Sequence, residues 1–144
     1  MADPPNMEMS EQERTDFLTD VHVGILAIAR KDKGPLALPI WYQYEDGDVI
    51  IHMRGDSVKA KLLRAAGRAT MTVQTETAPY RYVSVEGPVV VQTEQRDELA
   101  MAARYLGPEL GRWYVDTNPS DDQSAVVRLT PERWITCDFG KGMG

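Results

Sequence analysis

Apolar and polar residues alternate along most of this chain, and only three stretches show helical spacing. "HVGILAIAR" (22–30), "LALPIWYQY" (36–44) and "DVIIHMR" (48–54) read as strands. The polar turn "KDKG" ends the first, and Asp46-Gly47 within "EDGD" joins the other two as a hairpin. "RATMTVQTE" (68–76) alternates as a fourth strand. After a turn near Ala78-Pro79, "YRYVSVEGPVVVQT" (80–93) gives a long fifth, which Gly87-Pro88 should bend or place at an edge. "SAVVRLTPERWITCDFG" (124–140) supplies two short strands around Pro131. Ser10 and Glu13 form a capping box before a short helix through Phe17 and Leu18. Ser57 opens a second helix over "VKAKLLRA". A third, amphipathic, covers 94–107, with Leu99, Ala103 and Leu106 on one face and Gly107-Pro108 as its stop. Residues 1–9 are predicted to be a loose tail, and 111–123 a loop.

Six or seven strands at hairpin spacing, interrupted by short helices, predict a mainly β, α+β fold: a small antiparallel barrel rather than a doubly wound parallel sheet. At 144 residues, one domain over 10–144 can enclose a single core. The chain has 22 acidic against 16 basic residues and a formal net charge of −6, which argues against a general nucleic-acid partner. Cys137 is the only cysteine, so an intramolecular disulfide and a Cys-rich zinc site are both excluded. The longest apolar run, "VGILAIA", is far too short to span a membrane, and the first residues lack the form of a secretory signal. A cytoplasmic protein without membrane partners is the expectation.

Against that acidic balance, "RGDSVKAKLLRA" (54–65) gathers Arg54, Lys59, Lys61 and Arg64. If Ser57 is the N-cap, the two lysines fall in the first turn, where the helix dipole disfavours a cation by about 0.3–1 kcal/mol. A bound anion would offset that cost. Arg54 offers a planar fork, Ser57 a hydroxyl beside free helix N–H groups, and Lys59 a point charge. The alternative is a solvated basic face. Lys61, two positions on, projects from nearly the opposite face to Lys59. His52 leads into Arg54 on the same strand and edges the same pocket. His22 and His52 have no partner in metal-ligand spacing, so no metal is expected. No nucleophile system and no glycine-rich phosphate motif is present.

With these elements in order, the chain resembles the split-barrel flavin-binding proteins of the pyridoxamine 5′-phosphate oxidase-like superfamily, and most of all their deazaflavin (F420) branch. Three pieces carry the resemblance: "LALPIWYQYEDGDVIIHMRGDSVKAKLLRAAGRATMTV", "YRYVSVEGPVVV", and the helix followed by two terminal strands. It implies an FMN-binding type of split barrel, and a homodimer with two cofactors at the interface. Arg54, Ser57 and Lys59 would bind the cofactor phosphate, with Val58, Met53, His52 and Trp41 beside them and Tyr82 at a contact position. Leu62 stands where many members have an asparagine. The implied activity is that of an F420- or FMN-dependent oxidoreductase moving a hydride to or from a small organic substrate. The rival is an F420- or FMN-binding carrier, store or sensor without turnover. Catalytic residues are not assigned.

Overall fold

The computed structural model describes residues 6–143. Its first helix, α1 (Glu11–Thr19), starts on the predicted capping box: Glu13 N–H donates to Ser10 Oγ at 3.1 Å and Ser10 N–H to Glu13 Oε1 at 2.9 Å. Phe17 and Leu18 carry its buried face. Residues 1–5 of the expected tail lie outside the described residues. Met9, by contrast, is buried, and its N–H donates to Thr136 Oγ1 at 2.9 Å.

Strands β1 (Gly24–Arg30) and β2 (Lys33–Ile40) form an antiparallel hairpin. Its turn is tighter than the predicted "KDKG" because Asp32 takes a left-handed φ of 59°. The predicted strand over 36–44 divides: β2 stops at Ile40, and β3 (Gln43–Glu45) begins beyond Trp41-Tyr42. Asp46 (φ 51°) and Gly47 (φ 83°) then turn the chain into β4 (Asp48–Arg54), with the two left-handed residues a tight hairpin needs. Next come α2 (Val58–Ala66), β5 (Arg68–Gln74), β6 (Arg81–Thr93), α3 (Leu99–Thr117), β7 (Ser124–Leu129) and β8 (Arg133–Asp138), with a 3-10 turn at Phe139–Gly142. Eight strands therefore stand where six or seven were predicted, the extra one arising from the break at Trp41-Tyr42.

All pairings are antiparallel, in the order β2-β1-β5-β6-β7-β4-β3, with β8 also on β6. The ends of this path, β2 and β3, do not pair, so the barrel is split rather than closed. Strand β6 belongs to both halves. Tyr82–Pro88 pairs with β5, and Val89–Thr93 pairs with β7. The change of partner falls at Gly87-Pro88. A Cβ at Gly87 would overlap the Thr130 carbonyl, and Thr130 N–H donates to Pro88 O at 3.0 Å. Glycine is required there by close backbone approach.

Leu26, Met71, Val83, Val85, Val127 and Leu129 are among the side chains filling the core. Alternation along β4 sends Val49, Ile51 and Met53 to that core and turns His52 and Arg54 to the other face. α3 differs from its prediction at both ends. It begins at Leu99 and continues to Thr117, through a break at Gly107 (φ 83°, ψ 169°) followed by Pro108. The predicted stop is thus a kink, and the predicted loop over 111–123 is helical as far as Thr117. Its buried residues are Met101, Ala102 and Gly111, whereas Leu99, Ala103 and Leu106 are only partly covered. Among the described residues no helix is long and apolar enough to cross a membrane.

Candidate functional site

The turn between β4 and α2 places the basic cluster. Ser57 is the N-cap of α2, as its type predicts: Ala60 N–H donates to its Oγ at 3.2 Å, and the same hydroxyl donates to Arg54 O at 2.6 Å. The first turn of α2 has no acidic residue, so the dipole's positive end is uncompensated from within the helix. Gly55 N–H donates to Gln123 O at 2.6 Å, which ties the turn to the chain segment leading into β7.

The four cations have different surroundings. Arg64 Nη1 donates to Gly55 O at 2.6 Å and braces the turn. Lys61 is exposed. Arg54 is held between two carboxylates, donating to Asp56 at 3.0 and 3.2 Å and to Asp121 at 3.1 Å. The hydrogen bonds it donates, to Asp56 first and then to Asp121, raise the guanidinium's pKa further. Arg54 in turn lowers the Asp56 carboxyl. Asp121 is lowered chiefly by the Gln123 backbone N–H and secondly by Arg54. Three guanidinium donors are thereby used and two remain. Lys59 is half-buried and has no ion-pair or hydrogen-bond partner among the described residues.

Beside this turn runs a groove against α3, made of two adjoining cavities of about 610 and 370 Å³. His52, Lys59 and Tyr114 wall both of them. Arg54, Ser57 and Met53 line the larger cavity together with Glu98 and Asp121, and Trp41 lines the smaller. Trp41 is the half-buried side chain at the break between β2 and β3. It stacks on Tyr105, with ring centroids 5.0 Å apart and planes 6° from parallel, and meets Tyr114 at 5.2 Å. Tyr105 is fixed by donating to His22 O at 2.7 Å. One end of the groove is thus polar and charged, and the other is aromatic. The volumes fall in the range of small-molecule sites.

His52 has a side chain only 9% exposed, and its Nδ1 lies 2.7 Å from Glu98 Oε2. Glu98 is the N-cap residue of α3, yet its carboxylate makes no capping bond and serves His52 instead. The other ring nitrogen, Nε2, is shielded and has no partner among the described residues.

Six of the eight site residues expected from sequence are therefore gathered in one groove: Trp41, His52, Met53, Arg54, Ser57 and Lys59. Val58 is 68% exposed at the helix start and lines neither cavity. Tyr82 also lies elsewhere, opposite Cys137 in the β6–β8 pair and 6.4 Å from the Phe139 ring. Sequence reading missed Glu98, Tyr105, Tyr114 and Asp121. Only the abundance of polar residues in "NPSDDQ" marked that last region, and it read as a loop.

The architecture and groove can now be set beside known proteins. Residues 10–138 match the family model described as pyridoxamine 5′-phosphate oxidase. The chain belongs to this family. Its resemblance on sequence, the "RGDSVKAKLL" turn within a split antiparallel barrel, is that of a pyridoxamine 5′-phosphate oxidase-like protein. Among solved structures it is similar to the conserved hypothetical protein Rv2991 from Mycobacterium tuberculosis. That likeness has 27% identity and a TM-score of 0.79, and covers 98% of this chain and 92% of that one. An F420 reductase shares the fold at 20% identity and a TM-score of 0.67, over 83% of this chain and 94% of the other. A FAD-binding protein from Mesorhizobium loti does so at 20% identity and 0.65, over 89% and 94%. No curated protein matches by sequence.

Proposed function

We propose that this pyridoxamine 5′-phosphate oxidase-like protein binds a flavin-type cofactor, F420 or FMN, in the groove between β4, α2 and α3. The protein then acts as an oxidoreductase on a small organic substrate, as a homodimer. The observation that carries this reading is Lys59, an unpaired, half-buried cation at the dipole-positive start of α2, on the wall common to both cavities. Lys59, the Ser57 hydroxyl and the two spare Arg54 donors are suited to a phosphate. The Trp41–Tyr105–Tyr114 cluster is suited to the apolar part of the ligand. The match to the family model and the F420- and FAD-related structures of the same fold support the cofactor class.

When bound, such a cofactor supplies the hydride chemistry, and this chain's residues hold and orient it. The fit is not one of simple charge. Asp56, Asp121 and Glu98 accompany Arg54 and Lys59, so specificity rests on placement rather than on a positive field.

Titrating the purified protein with F420 and with FMN, followed by fluorescence, tests the reading. Saturable binding of at least one is expected. Lys59→Ala should weaken it by about one to two decades, as for loss of a charge-assisted hydrogen bond of about 1.5–3 kcal/mol. Lys61→Ala should change it several-fold less. Equal affinities for wild type and Lys59→Ala would return the cluster to a solvated face. Turnover of reduced cofactor with an organic acceptor then separates an enzyme from a carrier.

A further inference from the structure

The groove does not end at its aromatic side. Val23 and Pro39, which line the smaller of its two cavities beside Trp41, also line a third hollow of about 770 Å³. Sheet register explains where this hollow lies. Ile25 pairs with Pro39 of β2 on one side and with Thr72 of β5 on the other. Leu26, Met71 and Val73 belong to the core, so alternation turns Ile25 and Thr72 to the opposite face of the sheet. The hollow therefore sits on the outer face of the β2-β1-β5 strands, and its volume is that of a small-molecule site. In the proposed homodimer, a second copy on this face would roof it.

Its chemistry differs from that of the phosphate end. Val23, Ile25 and Pro39 give it an apolar side, and Thr72, Gln74 and Glu76 a polar one. Gln74 and Glu76 are exposed, and their side chains have no hydrogen-bond or ion-pair partner among the described residues, so both are available to a ligand. Among the described residues lining the hollow, Glu76 alone is charged at neutral pH. His22 also lines it, but burial lowers the imidazole's pKa below its ordinary value and keeps the ring neutral. The two arginines that act on that ring are engaged elsewhere. Arg104 donates to Thr19 O at 2.9 Å and to Asp20 O at 2.7 Å. Arg81 stands over the Phe17 ring, 5.1 Å from its centroid, beside a separate small cavity. A phosphate or carboxylate in the hollow would thus meet a carboxylate and no cation, whereas an amine or hydroxyl donor would meet Gln74 and Glu76.

Resting on the cofactor-site reading, we infer that this hollow is where the organic substrate binds, next to the aromatic end of the cofactor groove. The substrate class is a molecule with an apolar body and a hydrogen-bond-donating group, either uncharged or an amine, and without a carboxylate or phosphate. The whole site is then graded. It has cations at the β4–α2 turn, aromatic rings in the middle, and an apolar hollow with one carboxylate at the far end. Phosphorylated substrates, pyridoxamine 5′-phosphate included, are disfavoured there, although the family model bears that name.

The test uses probes that share one ring system and differ in charge: 2-naphthol, protonated 2-naphthylmethylamine and 2-naphthoate. Binding is followed by NMR of the full chain near neutral pH, with and without saturating FMN or F420. 2-Naphthol and the amine are expected to shift the Ile25 methyl and Thr72 amide signals saturably, in the cofactor-loaded protein as in the free one. 2-Naphthoate should bind about tenfold more weakly than the amine, and Glu76→Gln should close most of that gap. The inference fails, with the cofactor site left standing, if no probe moves these signals, as on a face sealed by a second copy, or if bound cofactor displaces the probes. It fails equally if naphthoate binds as tightly as the amine, or if the gap survives Glu76→Gln. Probe binding in the expected order by a protein that binds neither FMN nor F420 would overturn the cofactor-site reading, and with it the hollow's role as a substrate site.

Discussion

Tyr42 is fully buried, and its hydroxyl donates to Leu18 O at 2.9 Å while its own N–H donates to Tyr105 Oη at 3.0 Å. It pins α1 to the strand break that also presents Trp41 to the groove. Burial, followed by the neighbouring Tyr105, raises the phenol's pKa well above its ordinary value of 10.0. The folded state thus holds this proton after the unfolded chain has released it. The stabilisation is complete below about pH 10 and is lost as pH rises beyond it. Tyr42→Phe should cost about 1 kcal/mol near neutral pH, the value of one neutral hydrogen bond. It should also show a shallower fall of melting temperature above pH 10 than wild type does. Parallel alkaline curves would contradict this account of Tyr42. The same residue-scale logic made Lys59 legible: Ser57 as N-cap placed it in the first turn, and the structure puts it on the groove wall while Lys61 stays exposed.

Among the elements, α3 departs most from its sequence pattern. Gly-Pro reads as a helix stop because proline cannot donate and a left-handed residue breaks the ladder. Here Gly107 takes that conformation and Pro108 starts a second helical run, which reaches Thr117. Whether a break ends a helix or folds it back depends on what the second run can pack against. Gly111 supplies the answer: a Cβ there would sit 2.8 Å from Ala103 N and 2.9 Å from Ala103 Cα. The two runs touch backbone to backbone. Gly111→Ala should therefore destabilise the fold by about 1–3 kcal/mol through overpacking, despite alanine's higher helix propensity. Urea unfolding should show a lower midpoint at unchanged slope. Because Tyr114 lies one turn beyond Gly111, the variant should also weaken cofactor binding. A midpoint equal to or above that of wild type would show that the two runs are not held in contact.

At the scale of the whole molecule, the split sheet leaves apolar side chains uncovered. Val23 is 51% and Ile25 40% exposed, and both line a further cavity with Pro39 and Thr72. The proposed homodimer would cover such a surface, since one small barrel has no room inside for a tricyclic ring. Light scattering of the purified protein should give twice the monomer mass, and Ile25→Lys should shift the equilibrium toward monomer. A monomer at micromolar concentration with cofactor present would remove the dimer from the proposal.

What the sequence determined by itself is the local part of this protein. Caps, the Asp46-Gly47 hairpin, strand alternation and the bend at Gly87-Pro88 are written in neighbouring residues, because they depend on backbone preference and side-chain period over a few positions. Lys59, Ser57 and Arg54 could be named together for the same reason, being within six residues of one another. The rest of the groove was decided by tertiary structure. Glu98 reaches His52 across 46 positions, and Asp121 reaches Arg54 across 67. Trp41 finds Tyr105 and Tyr114 only because the strand breaks at that point and α3 folds back on itself. Such pairs are set by strand register and helix docking, which sum many weak contacts over the whole core. No short stretch of sequence carries that sum. The cations of the groove were therefore legible in advance, while the carboxylates that oppose them depend on how the chain packs.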